Sequence, residues 1–102
     1  WPFDPLPQTG SVLVEIYSTI AAMAAGRSAS RSKIRTVEEL HAALAVLGCI
    51  DAPGLDRVDD HQADALVTAA WLRRAADDPR LWHPPTLTDA IAQTEGWTFG
   101  AV

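Results

Sequence analysis

Hydrophobic and polar positions change period several times along this chain, and each change marks an element. From 59 to 77 the apolar residues fall at helical spacing: 63, 66, 67, 70 and 71 form one stripe, and 65, 69, 72 and 76 form a second. The pattern predicts a long helix that is apolar on two sides and therefore buried in a layered domain. Asp59 or Asp60 caps its start, Arg73 and Arg74 complement its dipole near the end, and Asp77-Asp78-Pro79 stops it. A second helix is predicted over 36–48. Thr36 and Glu39 fit a capping box, Val37, Leu40, Leu44 and Leu47 make the stripe, and Gly48 is the stop.

The period shortens in residues 11–17. Val12, Leu13, Val14 and Ile16 are almost continuously apolar, which predicts a strand covered on both faces, interrupted by Glu15. If the strand lies at an edge instead, 13, 15 and 17 share the side that faces water. Residues 19–26 predict a short helix ending at Gly26, and 1–10, with three prolines, an extended lead-in. Residues 27–35, serine-rich and basic, predict a mobile loop. Pro53 and Gly54 place a turn in 51–58, after Cys49 and Ile50 have packed. His41 borders the stripe of the second helix, and 80–85 is a loop held extended by prolines, with His83 in a structural or exposed role. Thr86 or Thr88 caps a short helix through Gln93, and 95–102 turn into a final strand with Trp97 and Phe99 on one face.

Length changes the picture only by bounding it: 102 residues, about half of them apolar, make at most one soluble domain with a modest core. No apolar run approaches the ~18–20 residues of a membrane span, and no signal peptide opens the chain. The lone Cys49 cannot form an internal disulfide, so a cytoplasmic setting is expected. Trp1 is an odd natural first residue, which suggests that something precedes it.

Charge changes the picture more. A net charge of −5 excludes a chain that coats nucleic acid over its whole surface. The charges are nevertheless segregated. No acid lies between Glu15 and Glu38, where Arg27, Arg31, Lys33 and Arg35 supply half of all basic residues. Asp51 to Asp64 hold five acids and one base, Arg57. A basic loop facing an acidic cluster suits phosphate beside a divalent cation.

Capping explains Asp59 or Asp60 but leaves Asp64, which lies inside the apolar run, unaccounted for. Burying a carboxylate costs several kcal/mol unless it is paired or bound to metal. His61 precedes Asp64 by three residues, so the two share a helix face with Cβ atoms roughly 5–6 Å apart. Oxygen ligands with at most one imidazole fit Mg²⁺ or Mn²⁺ better than zinc or copper. Glu15, Asp60, His61 and Asp64 are therefore the candidate metal ligands, with Glu15 and Asp64 the catalytic acids of a two-metal phosphodiester cleavage. Arg27, Arg31, Lys33 and Arg35 are the candidate nucleic-acid contacts.

Val-Leu-Val-Glu-Ile-Tyr, the helix Asp-Asp-His-Gln-Ala-Asp-Ala-Leu-Val-Thr-Ala-Ala-Trp and the closing Glu-Gly-Trp-Thr-Phe-Gly resemble the C-terminal half of the predicted RNase H-like nucleases, within the ribonuclease H-like superfamily. The resemblance implies an α/β fold, the C-terminal half of an RNase H-like sheet with flanking helices. It implies that Glu15 is the acid of the fourth strand, Asp64 the acid of the last helix, and His61 a ligand one turn before it. Ser18 stands where the family usually has proline, and the first catalytic aspartate would lie upstream of Pro2. The chain is thus expected to be the C-terminal part of a metal-dependent nuclease, inactive alone, with nucleic acid, a second copy or a missing N-terminal half as partners. Two other readings compete with it. One is a non-catalytic α/β module that pairs through exposed sheet edges. The other is phosphate binding through 27–35 without catalysis.

Overall fold

The computed structural model describes residues 1–50 and 54–102. It is helical: α1 spans Ser18–Ala24, α2 Val37–Val46, α3 Asp60–Ala75, α4 Pro79–Trp82 and α5 Asp89–Thr94, with a 3-10 turn at Ala29–Arg31. The predicted α/β architecture with a central sheet is overturned. Among the described residues no strand forms, and a single parallel bridge joins Glu15 to Thr98, with Phe99 N–H donating to the Glu15 carbonyl at 2.8 Å.

The reason lies at the C-terminal end. Gly100 has a φ of +89°, and Ala101 N–H bonds back to the Thr98 carbonyl at 3.1 Å, so the chain turns as soon as it reaches residues 11–17. A segment that bends after one bridge cannot continue a ladder. Residues 11–17 nevertheless show strand-like alternation: Val12, Val14 and Ile16 are half-buried, while Leu13, Glu15 and Tyr17 are exposed. Glu15 therefore faces outward, as at an edge, and not into a covered layer.

The helices follow local signals closely. Thr36 caps α2 and Asp59 caps α3, each in a reciprocal box, with Glu39 and Gln62 respectively as the other partner. Gly26 and Gly48 end α1 and α2 in Schellman motifs, in which Arg27 N–H bonds the Ala22 carbonyl and Cys49 N–H the Leu44 carbonyl. Asp78 and Pro79 play a different role from the one predicted. α3 has already ended at Ala75, and Asp78 caps α4 with Pro79 in its first turn, so a short helix stands where an extended loop was expected. Thr88 caps α5.

Only one of the two apolar stripes on α3 is buried. Ala63, Val67, Ala70 and Trp71 lie in the core with Leu66 half-buried against it, whereas Ala65, Ala69 and Ala76 are exposed and of the second stripe Leu72 alone packs against the core. Alanine contributes little apolar area, so an alanine stripe does not force a second packed layer. α1 and α3 share the largest helix interface, and Ala21 of α1 and Ala63 and Ala70 of α3 lie in the same buried core. Phe99, fully buried, closes the end of the core. Its ring centroid lies 5.8 Å from Trp1, 5.7 Å from Trp71 and 4.5 Å from Trp82. Trp82 is fixed in turn by donating Nε1–H to the Ala76 carbonyl at 2.8 Å. Cys49 is half-buried, but Ile50 is exposed rather than packed. The start of the turn expected over 51–58 lies outside the described residues. No helix among them is long and apolar enough to cross a membrane.

Candidate functional site

Loop 27–35 connects α1 to α2, and Arg27 organises it. Its Nε donates to the Arg31 carbonyl at 3.0 Å, one terminal nitrogen donates to the Lys33 carbonyl, and the other lies 3.6 Å from Glu39 Oε1. Together with buried Ile34, these bonds tie the loop to its own backbone and to the first turn of α2. They also commit Arg27 to the fold, which leaves Arg31, Lys33 and Arg35 as the exposed cations of the four nucleic-acid candidates. Glu39 is equally committed. It accepts the backbone N–H of Arg35 at 2.8 Å and of Thr36 at 3.3 Å, and the Arg35 bond is the chief reason its carboxyl titrates below the ordinary value of 4.5.

The basic loop and the acidic start of α3 do meet. Lys33 Nζ lies 3.5 Å from Asp60 Oδ2, with both side chains roughly half exposed. An exposed pair of this kind stabilises the fold by less than about 1 kcal/mol. Its importance is positional, because it brings the serine-rich basic loop alongside the helix turn that carries His61 and Asp64.

Each acid of that turn has a different status. Asp59 caps the helix through Gln62 N–H at 2.8 Å, and Asp60 pairs with Lys33. His61 is exposed. Asp64 is half-buried and forms no hydrogen bond or ion pair among the described residues. The other partly buried acids described, Glu39, Asp60 and Asp78, all have partners, and Asp78 is held below its ordinary range mainly by the Arg80 guanidinium. Asp64 is therefore a carboxylate that the described residues do not pair.

Glu15 sits in other company. It lines an open depression of about 370 Å³ with Tyr17, Ile91, Glu95, Trp97 and Thr98, to which Asp60, His61 and Asp64 contribute nothing. Sequence reasoning did not connect Glu95 and Trp97 with Glu15; the signal available was the turn-forming Gly96 between them. Among the described residues no three His, Cys, Asp or Glu side chains gather to hold a metal ion. The donors fit a partial Mg²⁺ or Mn²⁺ set of Asp64 with His61, while Asp60 is turned to Lys33 and Glu15 lines the other depression. A complete metal centre is not built from these residues alone. No family model, characterised protein or solved structure matches the chain.

Proposed function

We propose that this chain is one part of a metal-dependent phosphodiester-cleaving enzyme, inactive by itself, whose contribution is the junction of loop 27–35 with the first turns of α3. The observation that carries the reading is the half-buried Asp64, without a partner among the described residues, beside a loop that presents Arg31, Lys33 and Arg35. Cations on the loop would hold a phosphate next to a carboxylate and an imidazole that could share a hard divalent ion with ligands from elsewhere.

Calorimetric titration with Mn²⁺ tests it. Weak binding to the wild-type chain, lost in Asp64→Ala and reduced in His61→Ala, is the expected result. Equal heats for wild type and Asp64→Ala, or no heat from either, would remove the basis for a metal site.

A second reading, phosphate binding without catalysis, is favoured by the exposure of Arg31, Lys33 and Arg35. Three phosphate contacts predict that log affinity for a single-stranded oligonucleotide falls with log salt at a slope of roughly −2. Steep salt dependence with no Mn²⁺ effect would select this reading over the first, and salt-independent binding would exclude it.

A further inference from the structure

Residues 11–17 present an open hydrogen-bonding edge. Along this segment the odd-numbered carbonyls are taken: Leu13 accepts from the Trp1 nitrogen at 3.1 Å, Glu15 from Phe99 N–H at 2.8 Å and Tyr17 from Ile20 N–H at 2.9 Å. An extended residue turns its N–H and C=O to one side, and successive residues alternate. Val12, Val14 and Ile16 accordingly face the other edge, and their backbone N–H and C=O groups make no hydrogen bond among the described residues. Their side chains are half-buried, and those of Val14 and Ile16 pack against the core. A half-buried row of unpaired backbone groups is a ready template for another strand.

We infer that an extended strand from outside residues 1–102 adds to the Val12–Ile16 edge, apolar on its inner face and carrying lysine or arginine opposite Glu15. The inner face is dictated by Val12, Val14 and Ile16, which it would cover. The cation follows from charge: Glu15 is exposed between Val14 and Ile16, and its carboxylate has no partner among the described residues. An exposed carboxylate next along the same face to the exposed ring of Tyr17 suits a basic side chain on the neighbouring strand.

A second copy of the segment fits poorly. Antiparallel pairing centred on Glu15 sets like charges directly opposite, which is destabilising. Centring on Val14 puts Leu13 against the partner copy's carboxylate. Centring on Leu13 runs Ile16 onto Gly10, whose φ of +102° ends the extended segment. This inference does not depend on the α3 site.

The test uses the 102-residue chain and a short synthetic strand of alternating valine and threonine with a central lysine. In the free, dilute chain the amides of Val12, Val14 and Ile16 should exchange rapidly with deuterium, and the peptide should protect all three. A peptide with glutamate at its centre should bind about fivefold more weakly, and one N-methylated along its pairing edge should protect none. Val14→Pro should abolish binding, whereas Val14→Ala, which gives up comparable core packing but keeps the amide, should still bind the peptide. Protection of these amides in the free monomer, equal binding by the N-methylated peptide, or no binding by any peptide overturns the inference. Concentration-dependent protection that tracks dimer formation in sedimentation also overturns it, since the occupant would then be a second copy.

Discussion

The helical body and the extended edge of this protein solve the same problem in opposite ways. In α2 and α3 the backbone groups orphaned at the helix starts are met within a few residues, by Thr36 with Glu39 and by Asp59 with Gln62. In residues 11–17 the Leu13 and Glu15 carbonyls depend on distant stretches of chain, and among the described residues the backbone groups of Val12, Val14 and Ile16 make no hydrogen bond. Helices can be completed locally; strands cannot. The starts of α2 and α3 are therefore closed by their own residues, while the Val12–Ile16 edge is left to the strand inferred above.

Disrupting the link between the two regions should have the largest effect. Phe99 joins the bridge at Glu15 to the tryptophans of the core. Phe99→Ala should cost about 3–5 kcal/mol, the range for removing a buried aromatic ring, read as a lower urea midpoint. A shift of less than about 1 kcal/mol would mean that the C-terminal segment is not part of the cooperative unit.

Gly100→Ala tests the same link by overfilling it. A Cβ there would lie 2.6 Å from the Trp71 ring, on a backbone with φ +89° that disfavours any side chain. Both effects are destabilising, and a loss of about 1–3 kcal/mol is expected from the same denaturation experiment.

Smaller losses are expected from the locally completed region. Thr36→Ala and Asp59→Ala should each cost about 1 kcal/mol, and the two should add, because the boxes share no partner. Strong non-additivity in thermal melts would show that the caps are coupled through the packing of loop 27–35 between the helices.

The smallest effect is on pH dependence. Glu39 titrates below 4.5, chiefly because it accepts the Arg35 backbone N–H, and Asp78 titrates below 3.8, chiefly because of Arg80. A carboxyl whose pKa is lower folded than unfolded binds fewer protons in the native state. The stability it lends is present above the unfolded value and is lost as pH falls through the folded one. Melting temperature should therefore decline as pH drops below about 4.5. Glu39→Gln should flatten that decline, and an unchanged acid limb would show that Glu39 does not contribute to it.

The candidate site was legible in the sequence to a similar, partial degree. Asp64 stood out because no capping role reaches it and its neighbours are apolar, and it remains the partly buried acid without a partner among the described residues. The meeting of the basic loop with the acidic turn was foreseeable from charge segregation, but the residues that meet were not. Arg27 looked like one more exposed cation until its donors were traced to the Arg31 and Lys33 carbonyls. Glu15 looked like an acid inside a sheet because a near-continuous apolar run is what a covered strand shows. An edge segment with one buried side gives nearly the same letters.

The chain's own order of residues determined the helices, their caps and their stops, since a capping box or a Schellman turn is closed by residues at most five apart and needs no knowledge of the rest. Tertiary structure alone decided that 11–17 and 97–99 touch at one bridge, that one α3 stripe is buried and the other is not, and that Lys33 reaches Asp60. Those outcomes depend on which distant groups come together, and pairing across many residues leaves no periodic trace in either partner.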